Sequence, residues 1–66
     1  MDAKEIAKKL RELRGSSSRK DVADSLGISV SALAMYECGK RIPKDEMKIR
    51  IAEHFKKTVE EIFFGK

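Results

Sequence analysis

The sequence has few of the residues that hold small proteins together through covalent or metal bonds. It has one cysteine, one histidine and one proline among 66 residues, and no tryptophan. A single cysteine excludes a disulfide within the chain, and because Cys38 and His54 each stand alone we predict no metal site and no cofactor. A chain of this length has a small core. We therefore expect its stability to come from efficient helix packing, helped by self-association.

Long apolar segments are also missing. The longest apolar run, residues 32–36, is far shorter than the roughly 20 residues that span a bilayer, so we predict no membrane partner. The charged segment MDAKEIAKK at the start of the sequence lacks the apolar part of a secretory signal. Together with the lone thiol, these features lead us to expect a cytoplasmic protein.

No grouping of residues in the sequence suggests catalysis. The acidic pairs Asp45–Glu46 and Glu60–Glu61 fall in the first turns of predicted helices, where a carboxylate interacts favourably with the helix dipole. The sequence has no nucleophile paired with a base and no glycine-rich phosphate loop. We therefore predict that the chain is not an enzyme and has no small-molecule substrate.

Positive charge is unevenly distributed along the chain. The formal net charge is +4. Residues 1–14 hold five basic and three acidic groups, residues 15–44 hold the same numbers, and residues 45–66 hold five of each. The excess in the first two thirds suits a polyanion such as nucleic acid. A solvated surface with a chance excess would give the same counts.

The apolar spacing predicts an all-α chain that forms a single domain over residues 1–66. No window alternates in the manner of a strand, whereas apolar residues recur every three or four positions. N-cap residues, glycines and the proline mark the helix ends. We predict five helices: residues 2–14, Ser18 to Gly27, about Val30 to Glu37, a fourth opened by Pro43, and a fifth from the capping box at Thr58 to Gly65.

The second and third predicted helices are joined by an unusually tight corner. Ala23 is small enough to let the next helix approach closely, and Gly27 can turn the chain in the left-handed conformation. Six residues later, Leu33 fills the angle between the two helices. This arrangement is a helix-turn-helix, which projects its second helix into the major groove of DNA.

The third predicted helix, VSALAMYE, has a single charge in a chain of which 39% is charged. At about 100° per residue, Leu33 and Tyr36 point inward whereas Ser31 and Met35 point outward. Ser31 can form a hydrogen bond with a base edge, and Val30 and Met35 can contact thymine methyl groups. Basic residues stand on both sides of this face and are expected to bind phosphates, namely Arg19, Lys20, Lys40 and Arg41.

Three segments in this order, KKLRELR, SRKDVADSLGISVSALAMYECGKRIP and IRIAEHFKKTVEEIFF, resemble the Cro/C1-type (XRE) family of helix-turn-helix transcription regulators. The resemblance implies a compact five-helix bundle of the lambda-repressor-like type. It also implies binding to a partly palindromic, double-stranded operator, usually as a homodimer and most often for repression.

Carried onto this sequence, the family's functional residues fall mainly in the second and third helices. The resemblance implies a structural ion pair between Arg14 and Glu37, and backbone amides near Gly39 that face a phosphate. The loop after the first helix is about two residues shorter than the family's commonest form. Cys38 replaces the family's asparagine, so the side-chain contact of that asparagine with a phosphate is not carried over to Cys38. The implied DNA-binding residues are Ser18, Arg19, Ser29, Val30, Ser31, Met35, Gly39, Lys40 and Arg41.

The last predicted helix suggests a surface for association. We predict a two-fold homodimer interface formed by Ile62, Phe63 and Phe64 with Ile49 of the fourth helix. The alternative at this site is a monomer in which Phe64 folds back on the core. The alternative function is a protein-interaction module, such as an antitoxin or adaptor, for which DNA binding is secondary.

Overall fold

The computed structural model describes residues 2–65, and within them the chain forms five α-helices and no strand. The all-α class and the order of five helices predicted from the sequence are confirmed for these residues. The helices are α1 (Ala3–Arg14), α2 (Arg19–Leu26), α3 (Val30–Glu37), α4 (Asp45–Phe55) and α5 (Val59–Phe63). No helix in this range has the length and apolar character needed to cross a bilayer.

Side-chain caps fix the start of most of these helices. A side-chain oxygen accepts a hydrogen bond from the backbone amide three residues later, at 2.9–3.1 Å, at each of Asp2, Ser18, Ser29 and Thr58. These bonds satisfy amides that have no partner inside the helix. At α5 the bond is reciprocal, because the Thr58 amide also donates to Glu61 Oε1 at 2.9 Å. The predicted capping box is therefore present.

The start of α4 differs from the prediction. The backbone remains extended at Lys44, with φ −72° and ψ 165°, and α4 begins at Asp45. Pro43 precedes the helix instead of opening it, and its side chain is buried. The proline therefore serves as a core residue in the connection between α3 and α4. At the other end of the chain, α5 ends at Phe63, because Phe64 leaves helical geometry before Gly65.

All five helices within residues 2–65 contribute side chains to one core. Its most deeply buried members include Ala23, Ile51 and Ile62, each with no exposed surface. Half-buried apolar side chains surround this centre, at Leu13, Ile28, Met47, Phe55 and Val59. Because α3 packs against both α1 and α2, its orientation is fixed on two sides.

The corner between α2 and α3 uses Gly27 as its turning point. Gly27 has φ 72° and ψ 29°, and its amide donates to the carbonyl oxygens of Ala23 and Asp24. The Ile28 amide donates to the Ala23 carbonyl at 3.0 Å, which completes the helix end. From α4, Arg50 Nη1 reaches the Leu26 carbonyl oxygen at 3.4 Å. The corner is therefore held by its own backbone and supported by α4.

Candidate nucleic-acid interface

The exposed face of α3 is uncharged. Val30 is 43% exposed and Met35 is 39% exposed, and Ser31 lies at the surface with them. On the opposite side, Leu33 and Tyr36 are buried in the core. The helix thus presents one polar hydroxyl and two apolar side chains to solvent. These groups match the hydrogen-bonding edges and thymine methyl groups in a DNA major groove.

The serines at the N-termini of α2 and α3 have a structural role and retain one donor each. Ser18 and Ser29 use an oxygen lone pair to cap their helices, at 3.0 Å in both cases. A hydroxyl group also has a proton to donate. Both side chains are exposed, so each can cap its helix and donate to a phosphate oxygen at the same time.

A buried carboxylate connects α3 to the two helices before it. Glu37 is 1% exposed, and its Oε2 accepts from Arg14 Nε of α1 at 2.7 Å. Its Oε1 accepts from Arg19 Nε of α2 at 2.9 Å. Arg11 of α1 also donates a hydrogen bond to the Glu37 backbone carbonyl. Three arginines from two helices therefore hold the C-terminal end of α3.

The electrostatics of Glu37 favour its charged form. Burial by itself opposes ionisation, but the hydrogen bonds and positive charges of Arg14 and Arg19 outweigh it and hold the pKa of the carboxyl below its ordinary value. The group is therefore ionised at neutral pH. Since both carboxylate oxygens have partners, the buried charge is compensated.

Arg19 has two roles that its geometry makes compatible. The sequence predicts a phosphate contact here, and the structure places Arg19 Nε against Glu37. A guanidinium has five N–H donors in a rigid fork, and Nε supplies one of them. Because the side chain is 45% exposed, its outer donors face solvent. Glu37 thus orients a cation that remains able to bind a phosphate.

The turn after α3 is held by backbone hydrogen bonds to that helix. The amides of Cys38, Gly39 and Lys40 donate to carbonyl oxygens of α3, at 3.0, 3.4 and 3.0 Å. The Gly39 amide thus has a partner within the turn, at the longest of these three distances, and its contact with a phosphate stays a prediction. Gly39 has φ 77°, so it turns the chain at this point. The side chains of Lys40 and Arg41 that follow it are exposed and remain the cationic groups of the turn.

The predicted dimer residues divide between the core and the surface. Ile62 and Phe63 are buried, at 0% and 2% exposure, so they pack inside the protein and the prediction that they form an interface is corrected. Ile49 and Phe64 are exposed, at 53% and 56%. Lys48 Nζ lies 5.7 Å from the centre of the Phe63 ring and 5.5 Å from that of Phe64. Of the four predicted interface residues, Ile49 and Phe64 are thus the exposed ones, and the Lys48 ammonium lies against the Phe64 ring.

Sequence reasoning missed the contacts of two arginines. The resemblance implies neither the hydrogen bond from Arg11 to the Glu37 backbone carbonyl nor the ion pair between Arg19 and the Glu37 carboxylate. One signal was present for Arg11: it precedes Arg14 by three residues and so shares its helix face. For metals, no three histidine, cysteine, aspartate or glutamate side chains come together within residues 2–65 in a way that could hold an ion.

Comparison with known proteins identifies the arrangement of these helices. A family model described as helix-turn-helix matches residues 8–62, a range that begins within α1 and ends within α5. The match includes the whole of the corner and all of α3. No curated protein and no solved structure gave a match to the chain.

Proposed function

Because the chain belongs to the Cro/C1-type, XRE-like family of helix-turn-helix proteins, we propose that it is a sequence-specific transcription regulator that binds duplex DNA. The family consists of DNA-binding domains, which favours regulation over catalysis. The observation that carries the proposal is the uncharged, exposed face of α3, set between basic residues on α2 and in the turn after α3.

In the proposed complex α3 enters the major groove. Val30 and Met35 contact thymine methyl groups, and Ser31 forms a hydrogen bond with a base edge. Because these side chains are exposed while the rest of α3 is held by the core and by Glu37, the helix is presented rigidly. A rigid helix loses little conformational freedom when it binds.

Phosphates are bound on both sides of the groove. Arg19 lies before the corner, and Lys40 and Arg41 follow α3. Phosphate contacts set the register of a protein on the duplex and supply most of the salt-dependent affinity. The hydroxyl groups of Ser18 and Ser29 add neutral donors to the same surface.

We propose that the active form is a homodimer on an operator with two-fold symmetry, and that its mode of action is repression, the commonest role in the family. Ile49 and Phe64 supply the exposed apolar surface for the dimer. The two recognition helices would then lie one DNA turn apart, about 34 Å. Such a regulator works where the DNA is, which we propose to be the cytoplasm.

A second candidate function is a protein-interaction module, because Ile42, Ile49 and Phe64 are about half exposed. Such a module would bind its partner through apolar surface and would have little affinity for random duplex DNA. The salt dependence of binding to random DNA separates the two functions, since a helix-turn-helix regulator should show a steep dependence.

Selection of bound sequences from a random DNA pool tests the main proposal. We expect enrichment of a site with two-fold symmetry. Replacing Lys40 with Ala should weaken binding to all sequences alike. It should also flatten the log–log salt slope, the slope of the logarithm of the binding constant against the logarithm of the salt concentration, by about one unit. The control Lys57→Ala should leave this slope unchanged. A pool that shows neither enrichment nor salt-dependent binding would contradict DNA recognition and favour the protein-interaction module.

A further inference from the structure

The exposed surface of α1 is divided by charge. At about 100° per residue, Lys4, Lys8 and Arg11 fall within about 60° of one another around the helix. Glu5 and Glu12 lie about 80–100° from Lys4 and about 40–60° from Lys8, on the side of Lys8 away from Lys4. Both lysines are exposed. One side of α1 therefore has a row of three cations, and Glu5 and Glu12 lie beyond Lys8, away from Lys4 and Arg11.

The contacts of α1 show which way this basic row faces. Arg11 donates to the backbone carbonyl of Glu37 at the end of α3. At Gly39, an added Cβ atom would lie 3.5 Å from the Ala3 carbonyl oxygen and 3.7 Å from the α-carbon of Lys4. The first turn of α1 thus packs on the turn after α3. The basic row begins beside Lys40 and continues along α1.

The other side of α1 faces a different part of the molecule. The hydrogen bonds from Thr58 hold the pKa of Glu61 below its ordinary value, and the charges of Lys57 and Lys9 act in the same direction. Lys9 is therefore close to the start of α5, and it lies about 140° around the helix from Lys4. Lys9 and Lys57 thus provide a pair of lysines near Glu61, with Lys9 on α1 and Lys57 just before α5.

We propose that Lys4 and Lys8 bind the phosphate backbone of duplex DNA, so that the contact surface continues from the turn after α3 along α1. The inference rests on the proposed function and adds two binding residues outside the helix-turn-helix. In the proposed complex Lys40 and Arg41 bind a phosphate strand at this turn, and the backbone of Lys4 lies against the same turn. Glu5 and Glu12 lie on the side of Lys8 away from Lys4, so no carboxylate interrupts the basic row itself.

The test compares two double variants with equal loss of charge. Lys4→Ala with Lys8→Ala removes the proposed contacts, and Lys9→Ala with Lys57→Ala removes two charges near Glu61. Binding to a random duplex is measured between 50 and 200 mM salt. Two lost phosphate contacts should flatten the log–log slope by about 1.8 units, so the parent should lose about twelve-fold more affinity across this range than the first variant. The second variant should keep the slope of the parent.

Folding is not expected to obscure the result. Lys4, Lys8 and Lys57 are exposed and Lys9 is partly buried. Alanine is the strongest helix former at the three positions within α1, and thermal unfolding of each variant checks that it is folded. A second measurement uses charge reversals. One double variant carries Lys4→Glu and Lys8→Glu, and the other carries Lys9→Glu and Lys57→Glu. Only the first should abolish binding at 200 mM salt.

The possible failures can be told apart. In the first case the parent binds DNA and Lys40→Ala flattens its slope, but the two double variants have slopes equal to each other. Lys4 and Lys8 then make no phosphate contact. The inference is wrong, and the proposed function stands. If the parent shows no salt-dependent binding to any duplex, both the inference and the proposed function are wrong.

Discussion

Removing the buried carboxylate of Glu37 should destabilise the fold. Replacing it with alanine leaves Arg14, which is only 20% exposed, without its partner. Breaking a buried ion pair in this way typically costs about 3 kcal/mol or more. We expect Glu37→Ala to lower the free energy of unfolding by about 3 kcal/mol in chemical denaturation. The exposed control Glu53→Ala should change it by less than about 0.5 kcal/mol. A loss below about 1 kcal/mol at Glu37 would show that the pair behaves as a surface pair.

The same carboxylate should make stability depend on pH. The pKa of Glu37 is lowered by folding, so its contribution is complete above the pKa of an unfolded glutamate, about 4.3, and is lost as the pH falls through the lower pKa of the folded state. We expect unfolding measured from pH 7 to pH 2 to show this acid-side loss in the parent and in Glu53→Gln. Glu37→Gln should show a smaller loss below about pH 4.3. Parallel curves for all three proteins would mean that Glu37 is not responsible.

Met35 is expected to read bases and to contribute little to the fold. Its side chain is 39% exposed on the outward face of α3. Met35→Ala should relax the preference at one or two base pairs by about 1 kcal/mol per position, because an apolar contact with a base is lost. The selected-site profiles of the parent and the variant provide the measurement, with Ser25→Ala on α2 as a control. Superimposable profiles would exclude Met35 from base readout.

At this scale the sequence predicted the inward and outward sides of α3, because one helical period suffices to separate Leu33 and Tyr36 from Ser31 and Met35. The arginine contacts were harder to predict. Arginine is long enough to reach partners far along the chain, and helical spacing alone does not identify them. The Arg14–Glu37 pair was named only through resemblance. The contacts of Arg11 and Arg19 depend on how α1 and α2 lean against the end of α3, which is a tertiary property.

Among the elements, the corner between α2 and α3 requires a left-handed backbone at Gly27. Gly27 has φ 72°, and a Cβ atom there would lie 3.5 Å from Arg50 Nη1, an ordinary contact distance. The cost of Gly27→Ala is therefore one of backbone conformation, about 1 kcal/mol. We expect a lower midpoint of chemical denaturation for Gly27→Ala and a nearly unchanged midpoint for Ser25→Ala in α2. Equal midpoints would mean that the left-handed conformation costs nothing here.

The N-termini of three helices could be predicted because the residues around each one are enough to form its cap. Ser18, Ser29 and Thr58 carry short polar side chains that bond to the amide three residues later, so the chemistry of a cap is contained in four residues. Pro43 misled the prediction, because proline is common in the first turn of helices. The structure buries Pro43 in the connection between α3 and α4, and the helix begins at Asp45. Whether a proline begins a helix or fills the core depends on distant residues.

At the scale of the whole molecule, the open question is association. Phe64 is 56% exposed and Ile49 is 53% exposed, and covering such surface would favour a dimer of so small a protein. We expect the parent to sediment as a dimer at micromolar concentration and Phe64→Lys to sediment as a monomer, because a buried lysine lacks a partner there. Ser25→Lys adds the same charge elsewhere and should remain a dimer. If the parent is monomeric with and without operator DNA, the proposed dimer is wrong.

The sequence could not assign all of this surface correctly. Ile62, Phe63 and Phe64 are adjacent and equally apolar, and α5 spans only Val59–Phe63, so its periodicity is too short to separate core from surface. The packing of α5 against α1 and α4 makes the separation. By contrast, the uneven charge along the chain was visible in the sequence, and helical spacing places Lys4, Lys8 and Arg11 on one side of α1. Only the fold shows that this side lies against the turn after α3.

The division of α3 into a held face and an outward face has a consequence for evolution. Val30, Ser31 and Met35 are exposed, and the anchoring of the helix depends on Leu33, Tyr36 and Glu37. Substitutions at the three outward positions therefore need no compensating change in the scaffold. A lineage of such proteins could acquire a new operator by drift at these positions while its stability stayed nearly constant. The same separation would let an experimenter randomise the three positions and select new DNA targets from one folded scaffold.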